Sequence, residues 1–257
     1  LETGYSIYAV FFSPTGKSKA GAEAIAGEIG RKAVEIDLTV RGHEPKKDDF
    51  GNRDIVVFGA PVYSGRLYKG AVERFAKLKG HDTPCIITVT YGNRDYDDAL
   101  LELRDLVAAQ GFAPFAGAAL VAQHTYGDIQ AGRPNSADLL EDRTFAGRAI
   151  KKLAEEGPAL VQVPGNRPYK EGGGGGKFRP RTNENCVQCG LCAANCPEGA
   201  IAGSDFSRID NEKCIACFRC IKICPAHAKN MDVPEYNEFA ANFTKRLSER
   251  RENQYYL

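Results

Sequence analysis

Eight of the nine cysteines fall into two copies of one pattern. C-V-Q-C-G-L-C-A-A-N-C-P carries Cys186, Cys189, Cys192 and Cys196, and C-I-A-C-F-R-C-I-K-I-C-P carries Cys214, Cys217, Cys220 and Cys224. Both read C-x2-C-x2-C-x3-C-P. Three thiolates at i, i+3 and i+6 let one tight loop reach three irons of a cuboidal iron–sulfur cluster, and the fourth ligand must come from elsewhere. Zinc would use four cysteines in two C-x2-C pairs and has no need of a third cysteine or a closing C-P. A disulfide framework suits short secreted chains with a signal peptide, whereas this chain has 257 residues and a strand-like run that begins by Tyr5. Pro197 and Pro225 stop the short turn ahead of them, and Gly190 removes a side chain where backbone amides should approach cluster sulfur. The ninth cysteine, Cys85, sits in the apolar run Pro84 to Val89 and reads as a packing thiol.

The stretch from about Asn183 to Asp232 resembles the bacterial two-cluster ferredoxins throughout, including P-E-G-A-I after the first copy. The resemblance implies two 4Fe-4S clusters, with the cysteine before each proline crossing to the other cluster. One set is then Cys186, Cys189, Cys192 and Cys224, and the other Cys214, Cys217, Cys220 and Cys196. Shared ligands would keep the clusters close enough for electrons to pass between them.

A ferredoxin of this kind needs only about sixty to eighty residues, so a second unit must fill the first two thirds. With 43% hydrophobic and 26% charged residues a globular core is expected. The net charge of +1, without a basic block, argues against nucleic acid as partner. No run of eighteen apolar residues suggests a membrane span, and the thiol chemistry suits a reducing cytoplasm.

Short apolar runs at Tyr5–Phe12, Ala33–Val40, Asp54–Ala60, Pro84–Tyr91 and Phe115–Gln123 have the continuous pattern of strands buried on both faces. Amphipathic segments lie between them: one ending near Gly30, then Gly70–Lys79, Tyr96–Gln110 and Ser136–Glu156. Alternation of this kind predicts an α/β, doubly wound, flavodoxin-like parallel sheet of order 2-1-3-4-5. Pro45 to Asp54 reads as loop where a helix would be expected. The predicted domains are 1–156, a Gly/Pro-rich linker at 157–181, and 182–257 for the α+β dicluster ferredoxin unit with a C-terminal helix. The glycine run Gly172 to Gly176 follows no strand and opens no helix, so it reads as linker. Within Pro234 to Arg251, Phe239, Phe243 and Leu247 form one helical stripe that should dock on the protein itself.

The first strand run ends at S-P-T-G-K-S. Ser13, Thr15 and Ser18 put three hydroxyls around Gly16 at a helix start, where free N–H groups and the dipole bind phosphate. A P-loop would need glycine where Phe11 stands, and G-x-G-x-x-G is absent, so no nicotinamide-binding module is expected. The loop resembles the flavodoxin phosphate loop S/T-x-T-G-x-S/T, with Lys17 at its variable position. That resemblance implies FMN.

Two more strand-end loops would flank such a ligand. The first is Pro61, Val62, Tyr63, Ser64, Gly65 and Arg66, and the second runs from Thr90 and Tyr91 through Gly92 and Asn93 to Tyr96. Flavodoxins set an aromatic of each loop against the ring, which implies Tyr63 and either Tyr91 or Tyr96 here. At Ser64, Gly65, Gly92 and Asn93 the backbone could approach the ring. His124, after the last strand, is placed to lie at its rim or simply in a surface loop.

Taken whole, the chain resembles the fused flavodoxin–ferredoxin proteins of anaerobic bacteria and archaea. The resemblance implies an electron-transfer protein relaying low-potential electrons between the clusters and FMN, with a redox donor and an acceptor protein as partners. The alternative is a flavin-dependent reductase of a small organic acceptor fed through the clusters. That enzyme would need an open ring face and a proton donor such as His124.

Overall fold

The computed structural model describes residues 4–42 and 45–257. Six strands form the path of the main sheet: β1 (Ser6–Phe11), β2 (Val34–Asp37), β3 (Asp54–Tyr63), β4 (Thr83–Tyr91), β5 (Phe112–Val121) and β6 (Gln254–Tyr256), and a short seventh, Arg66–Leu67, pairs antiparallel with the end of β3. Their order is β2-β1-β3-β4-β5-β6; the first five run parallel and β6 lies antiparallel on β5. The flavodoxin-like order 2-1-3-4-5 is therefore present, with one added edge strand. All of β4 is buried, as a central parallel strand covered on both faces requires.

Helices α1 (Lys17–Ile29) and α4 (Ser136–Glu156) cover one face, meeting the sheet through Ile25, Ile29, Phe145 and Ile150. Helices α2 (Lys69–Phe75) and α3 (Ala99–Ala109) cover the other with Phe75, Leu100, Leu103 and Val107. α1 lies so close to β3 that a side chain at Gly59 would meet the Ser18 carbonyl oxygen at 2.9 Å. Between β2 and β3 no helix forms among the described residues. Phe50 fills that space instead, packing on Tyr8 and Phe112 with ring centroids 5.2 and 5.7 Å away.

In the second unit, α5 (Leu191–Ala194) and α6 (Arg219–Ile223) follow the two cysteine loops, and Arg181–Thr182 pairs antiparallel with Lys229–Asn230. α7 (Pro234–Arg246) has proline in its first turn. It stops short of the expected Arg251. The chain then runs back along the first unit and ends in β6, so the tail of the ferredoxin segment completes the other unit's sheet.

The expected linker is not a free tether. Val161 is buried and its amide donates to the Pro114 carbonyl at 2.9 Å. The Asp98 carboxylate accepts from the amides of Asn166 and Lys170, each at 2.8 Å. Gly173 donates to the Tyr63 carbonyl and accepts from the Lys69 amide. Glycine serves here because the backbones approach closely: a side chain at Gly173 would meet the Leu67 carbonyl oxygen at 2.5 Å.

The two units are also joined directly. Arg41 and Arg74 converge on Glu198 at 2.8 and 2.9 Å, and the Arg41 amide donates to the Pro197 carbonyl. Ile215 and Cys217 are packed into the apolar core on the α2–α3 side of the sheet.

Candidate functional site

The cysteines gather around two small cavities. One is lined by Cys186, Cys189, Cys192 and Cys224, the other by Cys196, Cys214, Cys217 and Cys220. In each, three sulfurs come from one copy of the repeat and the fourth from the other copy. The backbone repeats as well: Gln188 and Gly190 in the first loop and Ala216 and Phe218 in the second all have positive φ, between 55° and 75°. Such left-handed turns point successive amides inward. The amides of Ala200 and Ala228 donate to the sulfurs of Cys196 and Cys224 at 3.2 and 3.3 Å. All-sulfur donor sets with N–H groups aimed at sulfur fit iron–sulfur clusters and do not suit hard cations that take oxygen ligands. The cavities differ in setting. Cys189 is exposed beside Val187, itself 69% exposed, while Cys217 at 9% faces the sheet unit.

A cleft of about 260 Å³ opens at the carboxyl ends of β1, β3, β4 and β5. Ser13, Thr15, Lys17 and Ser18 line one end, with Gly16 beneath them as the left-handed residue before α1. Ser13 is held from two sides: its amide donates to Thr39 Oγ1 at 2.8 Å, and its Oγ accepts the Lys19 amide at 2.9 Å. The first amides of α1 have no partners within the helix and face this end. Pro61, Val62, Tyr63, Ser64 and Gly65 form one side, and Thr90, Tyr91 and Gly92 the floor. The buried hydroxyl oxygen of Thr90 has no hydrogen-bond partner among the described residues. A ligand group reaching that floor would satisfy it. An anion-binding end joined to an aromatic, glycine-edged slot fits a phosphate-bearing flat ring system such as FMN.

Three expected residues lie elsewhere. Arg66 turns away to a two-point ion pair with Glu102 at 2.7 Å and stacks on Tyr169. Asn93 is buried, and its side chain donates to the carbonyls of Leu247 and Glu249 at 3.0 and 2.6 Å, binding the C-terminal tail instead of a ligand. Tyr96 packs behind Tyr91 at 5.4 Å and shares its hydroxyl with Tyr256. Of the two tyrosines left open for this loop, Tyr91 is the one on the cleft.

His124 lies on the cleft and not in a free loop. Its Nδ1 accepts the Tyr126 amide at 2.8 Å and lies 3.1 Å from the Tyr126 carbonyl oxygen. Burial pushes its pKa down to about 4, so the ring is neutral near neutral pH.

Sequence reasoning missed a further wall. Tyr126, Gly174, Gly176, Ala216, Phe239 and Phe243 also line the cleft. The spacing of Phe239 and Phe243 marked a docking stripe without saying onto what. Nothing local signals Ala216 or the two glycines, because their place depends on how the units meet.

A family model described as a 4Fe-4S dicluster domain matches residues 180–225. No curated protein matches the chain. Among solved structures, a flavodoxin from the domain Archaea is 15% identical, with 58% of this chain and 99% of that one covered at a TM-score of 0.43. A WrbA-like flavodoxin from Agrobacterium tumefaciens is 18% identical, covering 59% and 98% at 0.42. Flavodoxin 2 from Bacillus cereus is 12% identical, covering 57% and 99% at 0.41. The sheet assignment rests on the strand order and parallel crossovers themselves. No helix among the described residues is long and apolar enough to cross a membrane. The 4Fe-4S dicluster domain matched at residues 180–225 thus follows a parallel sheet of flavodoxin-like strand order.

Proposed function

We propose that the protein relays low-potential electrons between a donor and an acceptor protein, using two 4Fe-4S clusters and FMN held in one chain. Residues 1–156 carry the flavin, 182–257 the clusters, and 157–181 join them. The observation that carries this reading is a shared wall. Ala216, between Cys214 and Cys217, lines the same cleft as the loops at the strand ends. The clusters would supply one-electron exchange and FMN either one- or two-electron exchange.

The chain's own residues bind and orient. Cys186, Cys189, Cys192 and Cys224 hold one cluster, and Cys214, Cys217, Cys220 and Cys196 the other. Ser13, Thr15, Gly16, Lys17 and Ser18 hold the phosphate through hydroxyls and helix-start amides. Tyr63 and Tyr91 position the ring, while the backbone of Ser64, Gly65 and Gly92 borders it. Exposure of Cys189 and Val187 favours the first cysteine loop as the side where a redox partner approaches. The site is that of a carrier acting in a reducing cytoplasm. A reductase of small acceptors is disfavoured, since His124 is neutral and sits edge-on to Phe243 with centroids 5.0 Å apart.

Anaerobic stepwise reduction, followed by visible and EPR spectra with iron, sulfide and flavin quantified on the same sample, tests the proposal. About eight irons and one FMN per chain, reduced in sequence and in mutual exchange, are expected. Four irons, or no flavin, would remove the corresponding half of the reading.

A further inference from the structure

We infer that Phe239 and Phe243 of α7, together with Tyr126, form the second face of the flavin-ring site, so that the cluster-bearing half of the chain is part of the FMN-binding site; this rests on the FMN reading above. The sheet unit lines the cleft with Tyr63, Tyr91, His124 and Tyr126, and α7 adds Phe239 and Phe243. The two phenylalanines are stacked on each other, with centroids 5.2 Å apart and planes 26° apart, and both border the cleft. Tyr126 meets Phe239 edge-on at 6.1 Å. α7 has no buried residue, so its apolar stripe is not consumed by its own unit's core. Phe239 also packs on Phe178 and Phe243 on His124, each with centroids 5.0 Å apart, and both phenylalanines still border the cleft.

α7 is fastened in this position from both ends. The Gly127 amide donates to the Tyr236 hydroxyl at 3.4 Å, and the Asp128 amide to Thr244 Oγ1 at 3.0 Å. Gly127 must be small, since a side chain there would meet Thr244 Oγ1 at 2.5 Å. Beyond the helix, Asn93 clamps the Leu247 and Glu249 carbonyls. The aromatic pair is thus held against loops of the sheet unit that border the same cleft. Aromatic faces opposed across a slot recognise a flat conjugated ring by stacking, with an anion site at one end selecting the phosphate-bearing form.

The test is FMN binding to the full-length, iron-loaded protein after flavin removal, followed by flavin fluorescence under anaerobic conditions. Phe239→Ala and Phe243→Ala, with iron content checked, are compared with wild type and with Leu140→Ala on the exposed side of α4. Each phenylalanine variant is expected to raise the FMN dissociation constant by about tenfold or more, equivalent to ~1.4 kcal/mol, with brighter residual bound flavin. Leu140→Ala should match wild type. If Phe243→Ala loses iron, Phe243→Leu decides, because it keeps the apolar volume and removes the ring; a clear weakening is again expected. Binding within twofold of wild type in the iron-loaded phenylalanine variants overturns the inference while leaving the FMN reading standing. Failure of the wild type itself to take up FMN overturns both.

Discussion

Arg219, one residue before Cys220, donates from Nη1 to the carbonyl oxygen of Pro14 at 3.1 Å, so one guanidinium joins the second cysteine loop to the loop that opens α1. Its Nη2 also donates to Asn195 Oδ1 at 2.9 Å, tying in the first copy of the repeat. Arg219→Ala should cost about 1–3 kcal/mol, because bonds to a charged donor are lost and carbonyls at a part-buried junction are left open. Arg219→Lys should recover only part, since a single ammonium cannot span both partners. Denaturant unfolding of the iron-loaded protein, read by circular dichroism, measures the loss; a change within error would mean that the junction does not depend on this residue.

Glu198 is nearly buried between Arg41 and Arg74, and Arg74 also reaches the Pro197 carbonyl at 2.8 Å. Arg74→Met keeps packing on Phe12 but leaves the carboxylate with Arg41 alone. Removing one partner of a buried pair is expensive, so a loss of about 3 kcal/mol is expected. The thermal midpoint compared with Arg41→Met, whose side chain is more exposed, should show the larger drop for Arg74.

Asp142 and His124 should make stability depend on pH in opposite senses. Burial raises Asp142 from 3.8 to about 7, so its contribution is complete below pH 3.8 and is lost as pH rises through 7. Burial lowers His124 from 6.5 to about 4, so its contribution is present above 6.5 and is lost as pH falls toward 4. Unfolding midpoints of wild type minus Asp142→Asn should therefore fall between pH 5 and 8, and wild type minus His124→Asn should rise. A flat difference in either series would contradict the burial that drives it.

Asn93 holds the tail through two carbonyls and also accepts the Arg251 amide at 3.2 Å. Asn93→Ala should leave these buried groups unpaired and free the segment from Leu247 to β6. Amide hydrogen exchange is expected to speed up by about tenfold or more in Gln254–Tyr256, with little change in β4. Unchanged exchange in β6 would show that pairing with β5 suffices by itself.

Much was legible in the chain before folding. The cysteine repeat spells out its own geometry because each loop needs only a dozen consecutive residues. Ser13, Thr15, Lys17 and Ser18, and Tyr63 and Tyr91 at the ends of apolar runs, could be singled out for the same local reason, and the fold sets them on one cleft. The side chains of Arg66, Asn93 and Tyr96 turn to other partners because strand-end position places a residue near a cleft without choosing its partner. Glu102, the Leu247 carbonyl and Tyr256 made that choice, and all lie far away in sequence.

The sequence by itself determined the two cysteine loops, the helix start after Gly16 and the alternation that builds a parallel sheet, since these depend on local spacing and hydrophobic period. The tertiary structure alone decided that 157–181 is strapped to the sheet, that β6 adds to its edge, and that Ala216, Phe239 and Phe243 reach the cleft at the strand ends. Those features rest on backbone pairing and on packing between distant segments, and such contacts leave no periodic trace in the residues that make them.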